Sequence, residues 1–359
     1  MSRALLISAL LVAGVALWLA IVRWVYELRG DRPTLLTTST ADGWTLGVWH
    51  RPAGQRRFTE AVVLCHGLAN NAAFMEFHGA QNLAAFLAGC GFDCFSVDLR
   101  GAGASRPPHE GPHEATFDDH VRLDVPAVLD LVERTCGATR VHWVGHSLGG
   151  LVGLAAAGGE SKARFATLTT IGSPLFFRFR PALGWLVKLG LALAAPSGQL
   201  PTGALALIAP FAGRLPAPRL ARVTANLDNI AAKAQRLLVV NVFAPMWRGV
   251  MAQLGDWLAH DVFRSVDEGV DYRQRAARLE LPVLVVGGTV DVMAPPDVTR
   301  DYFELLGTRD KQLAIFGRSY GHALEYGHGD LIVGTHATHE VYPVLRDFLL
   351  ARATVARIP

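Results

Sequence analysis

Cysteine is scarce in this chain. Only Cys65, Cys90, Cys94 and Cys136 occur among 359 residues. Their spacing fits no zinc pattern, and Cys90 to Cys94 is C-x3-C, not the redox C-x2-C, so buried free thiols are expected. Neither sign of charge is in excess. Thirty-four basic residues face 31 acidic ones for a net +3, with no basic stripe, and a nucleic-acid surface is not expected. Repeats and long low-complexity linkers are missing, and charged residues make up only 18% of a chain that is 51% hydrophobic. From Ala4 to Val22 there is no charge at all.

That uncharged run of 19 residues is long enough to cross a bilayer core as a helix. The alternative is a cleaved signal peptide. The run ends in Trp18-Leu19-Ala20-Ile21-Val22-Arg23-Trp24, however, without a small-x-small cleavage site. Trp18, Trp24 and Tyr26 suit the membrane interface, so an uncleaved single-pass anchor over residues 1–33 is expected. Arg23, Arg29 and Arg32 follow the run while only Arg3 and the terminal amine precede it, a bias that favours a cytoplasmic catalytic domain.

One stretch carries the chemistry. Val141-His142-Trp143-Val144 reads as a buried strand, and Gly150 to Ala157 reads as a small-residue helix. Between them lies Gly145-His146-Ser147-Leu148-Gly149. A strand that turns into a helix over Gly-x-Ser-x-Gly is a nucleophile elbow, whose glycines are small where the two backbones converge and whose serine is exposed.

The remaining pattern supplies a setting. Leu35–Thr40 and Thr45–His50 flank the turn signal Ala41-Asp42-Gly43 and read as a hairpin. Further strands are expected over Ala61–Cys65, Phe92–Val97, Phe165–Ile171, Val283–Gly288 and Gln312–Phe316. Helices are expected over Phe74–Ala88, Phe117–Thr135, Asp297–Leu306 and His336–Leu350. Such alternation implies a mostly parallel sheet covered on both faces, with ligands bound outside the carboxyl ends of its strands. His66, Asp98, Ser147 and Asp291 all fall at or just past strand ends. Between Ser173 and about Glu280 the alternation lapses into proline-punctuated apolar pieces such as Leu183–Ala194 and Ala204–Ala209. This insertion reads as a helical cap, apolar enough to suggest an apolar acyl chain beneath it. His109-Glu110-Gly111-Pro112-His113 matches the zinc signature H-E-x-x-H, but its glycine and proline, with Pro107-Pro108 before it, deny the helix that zinc binding needs.

Taken together, His66-Gly67 after a strand, Asp98-x-Arg100-Gly101-x-Gly103-x-Ser105, the elbow, and Gly287-Gly288-x-x-Asp291 resemble the α/β-hydrolase superfamily from about Leu35 to the end. The order serine, acid, histidine also matches. The resemblance implies an α/β-hydrolase core over 34–172 and 281–359, with a cap over 173–280. It implies Ser147 as nucleophile, Asp291 as acid, and an oxyanion hole from the backbone N–H groups of Leu68 and Leu148. Asp98 and Arg100 are expected to brace a loop beside the site. Two histidines compete for the base. Gly321-His322 resembles the common hydrolase ending. Tyr326-Gly327-His328-Gly329-Asp330, with Gly334 and the last helix after it, resembles the ending of lipase-like and polyhydroxyalkanoate-synthase-like hydrolases, and His328 is preferred. The Asp330 side chain is expected to brace that loop.

Serine at 147 disfavours dehalogenase and epoxide-hydrolase chemistry, whose relatives use aspartate there, and polyhydroxyalkanoate synthesis, which uses cysteine. The expectation is a membrane-anchored serine hydrolase for esters of lipid or other apolar acyl groups, needing neither cofactor nor metal. Acyl transfer to an acceptor other than water is one alternative, and a non-catalytic membrane protein binding a lipid or partner is another. No feature of the sequence points to a particular oligomeric state.

Overall fold

The computed structural model describes residues 3–30, 33–109, 114–178, 189–190, 193, 198–200, 202–215 and 219–356. A single helix, α1 (Arg3–Val25), precedes the sheet. Its segment Leu5–Val25 is long and apolar enough to cross a membrane, and almost none of it is buried against the rest of the chain.

Eight strands form the main sheet: β1 (Thr34–Ser39), β2 (Thr45–Arg51), β3 (Ala61–Cys65), β4 (Cys94–Val97), β5 (Val141–His146), β6 (Phe165–Ile171), β9 (Val283–Gly288) and β10 (Lys311–Phe316). Two short strands, β7 (Gln199–Leu200) and β8 (Met246–Trp247), pair separately. The order in the main sheet is β1-β2-β4-β3-β5-β6-β9-β10. Only β1 and β2 run antiparallel to their neighbours, and every other pairing is parallel. The α/β-hydrolase fold with a mostly parallel sheet is therefore borne out.

Strands buried on both faces explain why the sequence reads as short apolar runs without alternation. In β3, Ala61, Val63 and Cys65 enter one core, while Val62 and Leu64 enter the other. The first core is covered by the helices Val125–Cys136 and Leu148–Ala157, and the second by Leu83–Gly89 and Ala337–Leu350. Cys65 and Cys94 are buried, Cys90 and Cys136 half-buried, and all four thiols are free. Burial raises the pKa of each, which keeps them unreactive.

Two expectations need correction. The helix expected over Phe74–Ala88 is broken into single turns at Ala72–Phe74 and Gly79–Gln81 and a short helix Leu83–Gly89. The side chains of Asn71 and Asn82 each cap a new start, and Gly79 adopts a positive φ between them. In the insertion between β6 and β9, the stretch expected as Ala204–Ala209 is a 3-10 helix, Gly203–Phe211, with Pro210 in its last turn. Among the described residues three α-helices follow it, Ala232–Asn241, Arg248–His260 and the short Tyr272–Ala276. The apolar helix expected over Leu183–Ala194 falls mostly outside the described residues.

The elbow helix packs closely on the end of β3. A Cβ on Gly149 would lie 2.4 Å from the Cys65 carbonyl oxygen and 2.5 Å from that of His66. Gly149→Ala must push β3 and the elbow helix apart. It is expected to cost about 1–3 kcal/mol or more, read as a lower urea midpoint; wild-type stability would contradict the close approach.

Candidate active site

The elbow is built as the backbone demands. Ser147 has φ 52° and ψ −119°, outside the regions an L-residue ordinarily occupies. Its N–H donates to the Ile171 carbonyl at 2.8 Å, and its own carbonyl accepts from Ser173 Oγ at 2.9 Å, so β6 and the turn after it hold the strained residue on both sides. A Cβ on Gly145 would meet the Gly149 carbonyl oxygen at 2.3 Å. Only glycine at both positions lets the turn close.

Asp291 leaves the end of β9 and is 2% exposed. One carboxylate oxygen accepts from the N–H groups of Met293 and Ala294, at 2.7 and 2.9 Å. The other lies 2.9 Å from His328 Nδ1, also buried. With Nδ1–H donated to this acceptor-only carboxylate, Nε2 is left to accept a proton. Gly172, at φ +61°, lies directly against the pair; a Cβ there would come within 3.1 Å of both Asp291 Oδ2 and His328 Nδ1.

His146 connects this pair to the elbow. Its Nε2 is 3.2 Å from the His328 carbonyl oxygen, and the two rings lie 4.6 Å apart. A carbonyl only accepts, so the proton of His146 is on Nε2. Burial, and then the neighbouring His328, hold the His146 pKa well below its ordinary value. The sequence reading gave His146 no role, although it is the variable position of the elbow next to Ser147.

His322 is elsewhere. Its Nδ1 faces the backbone of Gly317, at 3.1 Å from the carbonyl oxygen, and its ring packs on Phe316. The structure thus brings Asp291 to His328 and leaves His322 bracing the turn after β10. Asp330, fully buried, accepts from the N–H groups of Gly327 and Asn226 and from the Asn229 side chain. It fastens the His328 loop to the insertion.

The loop after β3 reaches the same place. A Cβ on Gly67 would be 3.0 Å from Ser147 Cβ. His66 fixes this loop from within, its Nδ1 donating to the Gly67 carbonyl at 2.8 Å and its Nε2 accepting from Leu99 N–H at 3.3 Å. That pairing requires the neutral ring, and burial lowers its pKa to about 4. Leu68 and Leu148 line one small cavity of about 30 Å³, together with Trp247 of β8. A feature absent from the sequence reading lies here. Ala69 takes a positive φ of 60°, and its carbonyl accepts from Ala244 N–H at 2.8 Å, while Asn70 pairs with Phe243 as an antiparallel bridge. The insertion is therefore hydrogen-bonded to the loop that carries Leu68.

Asp98 and Arg100 both act as braces, but not with each other. Asp98 accepts from Ala72 N–H, Ala104 N–H and Trp49 Nε1. Arg100 pairs with Asp124, which also holds His120, and with Asp42. A larger cavity of about 510 Å³ opens between the segment after α1 and residues such as Trp49, Glu76 and Asp98; Ser147, Asp291 and His328 are not among its walls. Among the described residues no cluster of three or more His, Cys, Asp or Glu side chains could hold a metal ion. Residues 110–113, which complete the H-E-x-x-H match, lie outside the described residues.

The fold and this geometry define a class. The chain belongs to the alpha/beta hydrolase fold family, whose sequence model matches residues 60–332. Among individual proteins, it is 31% identical to gastric triacylglycerol lipase of Mus musculus over 129 residues, 33% of this chain and 33% of that protein. The chain thus spans about a third of that relative's length. It is 23% identical to lipase member N of Mus musculus over 359 aligned positions, 85% of this chain and 84% of the relative. Among solved structures, a monoacylglycerol lipase of Paleococcus ferrophilus superposes with a TM-score of 0.58 at 20% identity, covering 85% of this chain and 99% of that one. An enol-lactonase of Burkholderia xenovorans superposes at 0.60 with 18% identity, covering 88% and 100%.

Three buried histidines make acid the natural stress on this fold. His66 and His142 have pKa values lowered to about 4 by burial, and His146 is held lower as well. Each is depressed below its unfolded value near 6.5. Their contribution is therefore present above about pH 6.5 and is lost as pH falls toward 4. The urea midpoint should fall through that window, with a slope of up to about 1.4 kcal/mol per pH unit for each ring. His142→Gln, away from the elbow, should make the slope shallower; an unchanged slope would mean His142 is not buried neutral.

Proposed function

We propose that this protein is a membrane-anchored serine hydrolase that cleaves carboxylic esters of lipid or other apolar acyl groups. The observation that carries the reading is the buried Asp291–His328 pair, linked through His146 to a serine held at positive φ. In this reading Ser147 Oγ attacks the ester carbonyl while His328 Nε2 takes its proton, the imidazolium being stabilised by Asp291. The backbone N–H groups of Leu68 and Leu148 receive the oxyanion. Collapse breaks the acyl–oxygen bond, and the alcohol leaves with the proton from His328. Water, deprotonated by the same ring, then attacks the acyl-enzyme and releases the acid and free Ser147.

Residues 34–172 and 281–359 form the catalytic core in this assignment, and 173–280 the cap. The lipases among the relatives support an acyl-lipid substrate, as does the apolar cap. Retention of α1 is supported by its docking. Trp18 Nε1 donates to the Leu207 carbonyl of the insertion at 3.2 Å, a contact that a cleaved leader would not need. The arginines after α1 favour a cytoplasmic catalytic domain.

A fluorophosphonate probe should label the wild-type protein and fail on Ser147→Ala; equal labelling would remove Ser147 as the nucleophile. His328→Ala should lower kcat on a soluble ester by roughly 10⁴-fold, and His322→Ala by about tenfold to a hundredfold through loop disorder. The reverse ranking, with both variants melting like wild type, would transfer the base to His322. Full-length protein should resist carbonate extraction from membranes, and a mature N-terminus mapped beyond Ala20 would refute the anchor.

A further inference from the structure

The cap carries an apolar stripe whose arrangement depends on its helix type. Gly203–Phe211 is a 3-10 helix, with three residues per turn, so positions three apart stand directly above one another. Ala206 and Ala209, at 3% and 0% exposure, form the buried row. Leu205, Ile208 and Phe211 form another, and the last two are 58% and 52% exposed. Leu215, just beyond, is 62% exposed. Soluble surfaces seldom keep such side chains together.

This helix packs on Ala232–Asn241 and on α1. Trp18 Nε1 donates to the Leu207 carbonyl at 3.2 Å, on the third row, and Arg23 approaches Gly203. Leu5–Val25 is 21 residues, roughly 32 Å at 1.5 Å per residue against a hydrocarbon core of about 30 Å. Arg23, the first charge after the uncharged run, marks the interface, with Leu5 to Val22 spanning roughly 27 Å before it. Trp18 then lies roughly 8 Å inward of Arg23 along the helix. Whatever touches Trp18 is at that depth too.

We propose that the cap face formed by Leu205, Ile208, Phe211 and Leu215 is immersed in the bilayer beside α1, so that a lipid ester passes to the Ser147 site without crossing water. The occupant is the acyl region of the leaflet that α1 leaves through its Arg23 end. Arg214, exposed on the turn after the stripe, adds a cation suited to the headgroup layer. The immersion rests on α1 being a membrane span, and the route for substrate rests on the ester-hydrolase reading.

The test uses full-length protein in phosphatidylcholine vesicles, with an environment-sensitive fluorophore on Ile208→Cys or Phe211→Cys and the unmodified chain as background. Arg309→Cys, at the opposite end of the sheet before β10, is the control. Quenching by a doxyl-labelled acyl chain should be about threefold or more stronger at 208 and 211 than at 309. Equal quenching overturns the proposal. So does shielding from aqueous iodide without lipid quenching, which would place a second copy or another protein surface on the stripe. An Ile208→Asp/Phe211→Asp variant should lose about tenfold or more on diacylglycerol in vesicles and stay within about twofold on a water-soluble ester. Equal activity of that variant on both esters, relative to wild type, overturns the route. If wild type cleaves neither ester, the hydrolase reading fails, while the quenching still decides the immersion.

Discussion

Backbone crowding around the elbow is the constraint on which the rest of this site depends. Gly149 faces the carbonyls of Cys65 and His66, Gly145 faces Gly149, and Gly67 faces His146 and Ser147. These contacts clamp three segments from β3, β5 and the elbow helix into one knot without intervening side chains. The knot aims Ser147 outward and brings the backbone after Gly67 beside it. Strain at Ser147 is tolerable because its N–H and carbonyl are both hydrogen-bonded, so the unusual φ does not also leave unsatisfied polar groups.

Electrostatics around the knot follow from burial. The buried Asp291 carboxylate is satisfied by two N–H groups and an imidazole that donate to it. His66 and His146 remain neutral, which spares the site two positive charges that would compete with His328 for its aspartate. Each neutral ring instead spends its N–H on a backbone carbonyl and sets the position of a loop.

Most of this was legible in sequence where the chemistry is local. Ala61–Cys65, Phe165–Ile171 and Val283–Gly288 begin and end as read, since buried parallel strands announce themselves as short apolar runs bounded by breakers. The preference for His328 over His322 rests on the resemblance of its segment to a lipase-like ending, and of the two only His328 meets Asp291. Long-range pairings left no local trace. Neither the Asn70–Phe243 bridge nor the role of His146 has a periodic signal, because each depends on segments distant in the chain. The helix expected over Phe74–Ala88 failed for a different reason. Two asparagine caps override the apolar pattern, each starting a new turn.

The least visible feature ties these levels together. Asn241, the last residue of the insertion helix Ala232–Asn241, binds the Tyr26 carbonyl and Leu28 N–H with its side chain and accepts from Asn71 Nδ2 at its own carbonyl, 2.9 Å away. Asn71 in turn caps the turn Ala72–Phe74, immediately after the loop that carries Leu68. The segment leaving α1, the insertion and the loop beside Ser147 are thus joined through two asparagine side chains. A side-chain amide suits this post because it donates and accepts at once, meeting one N–H and one carbonyl just after the helix. An aspartate could not donate, and a leucine could do neither. The insertion, the segment after α1 and the turn at Asn71 are therefore tied by the same few hydrogen bonds.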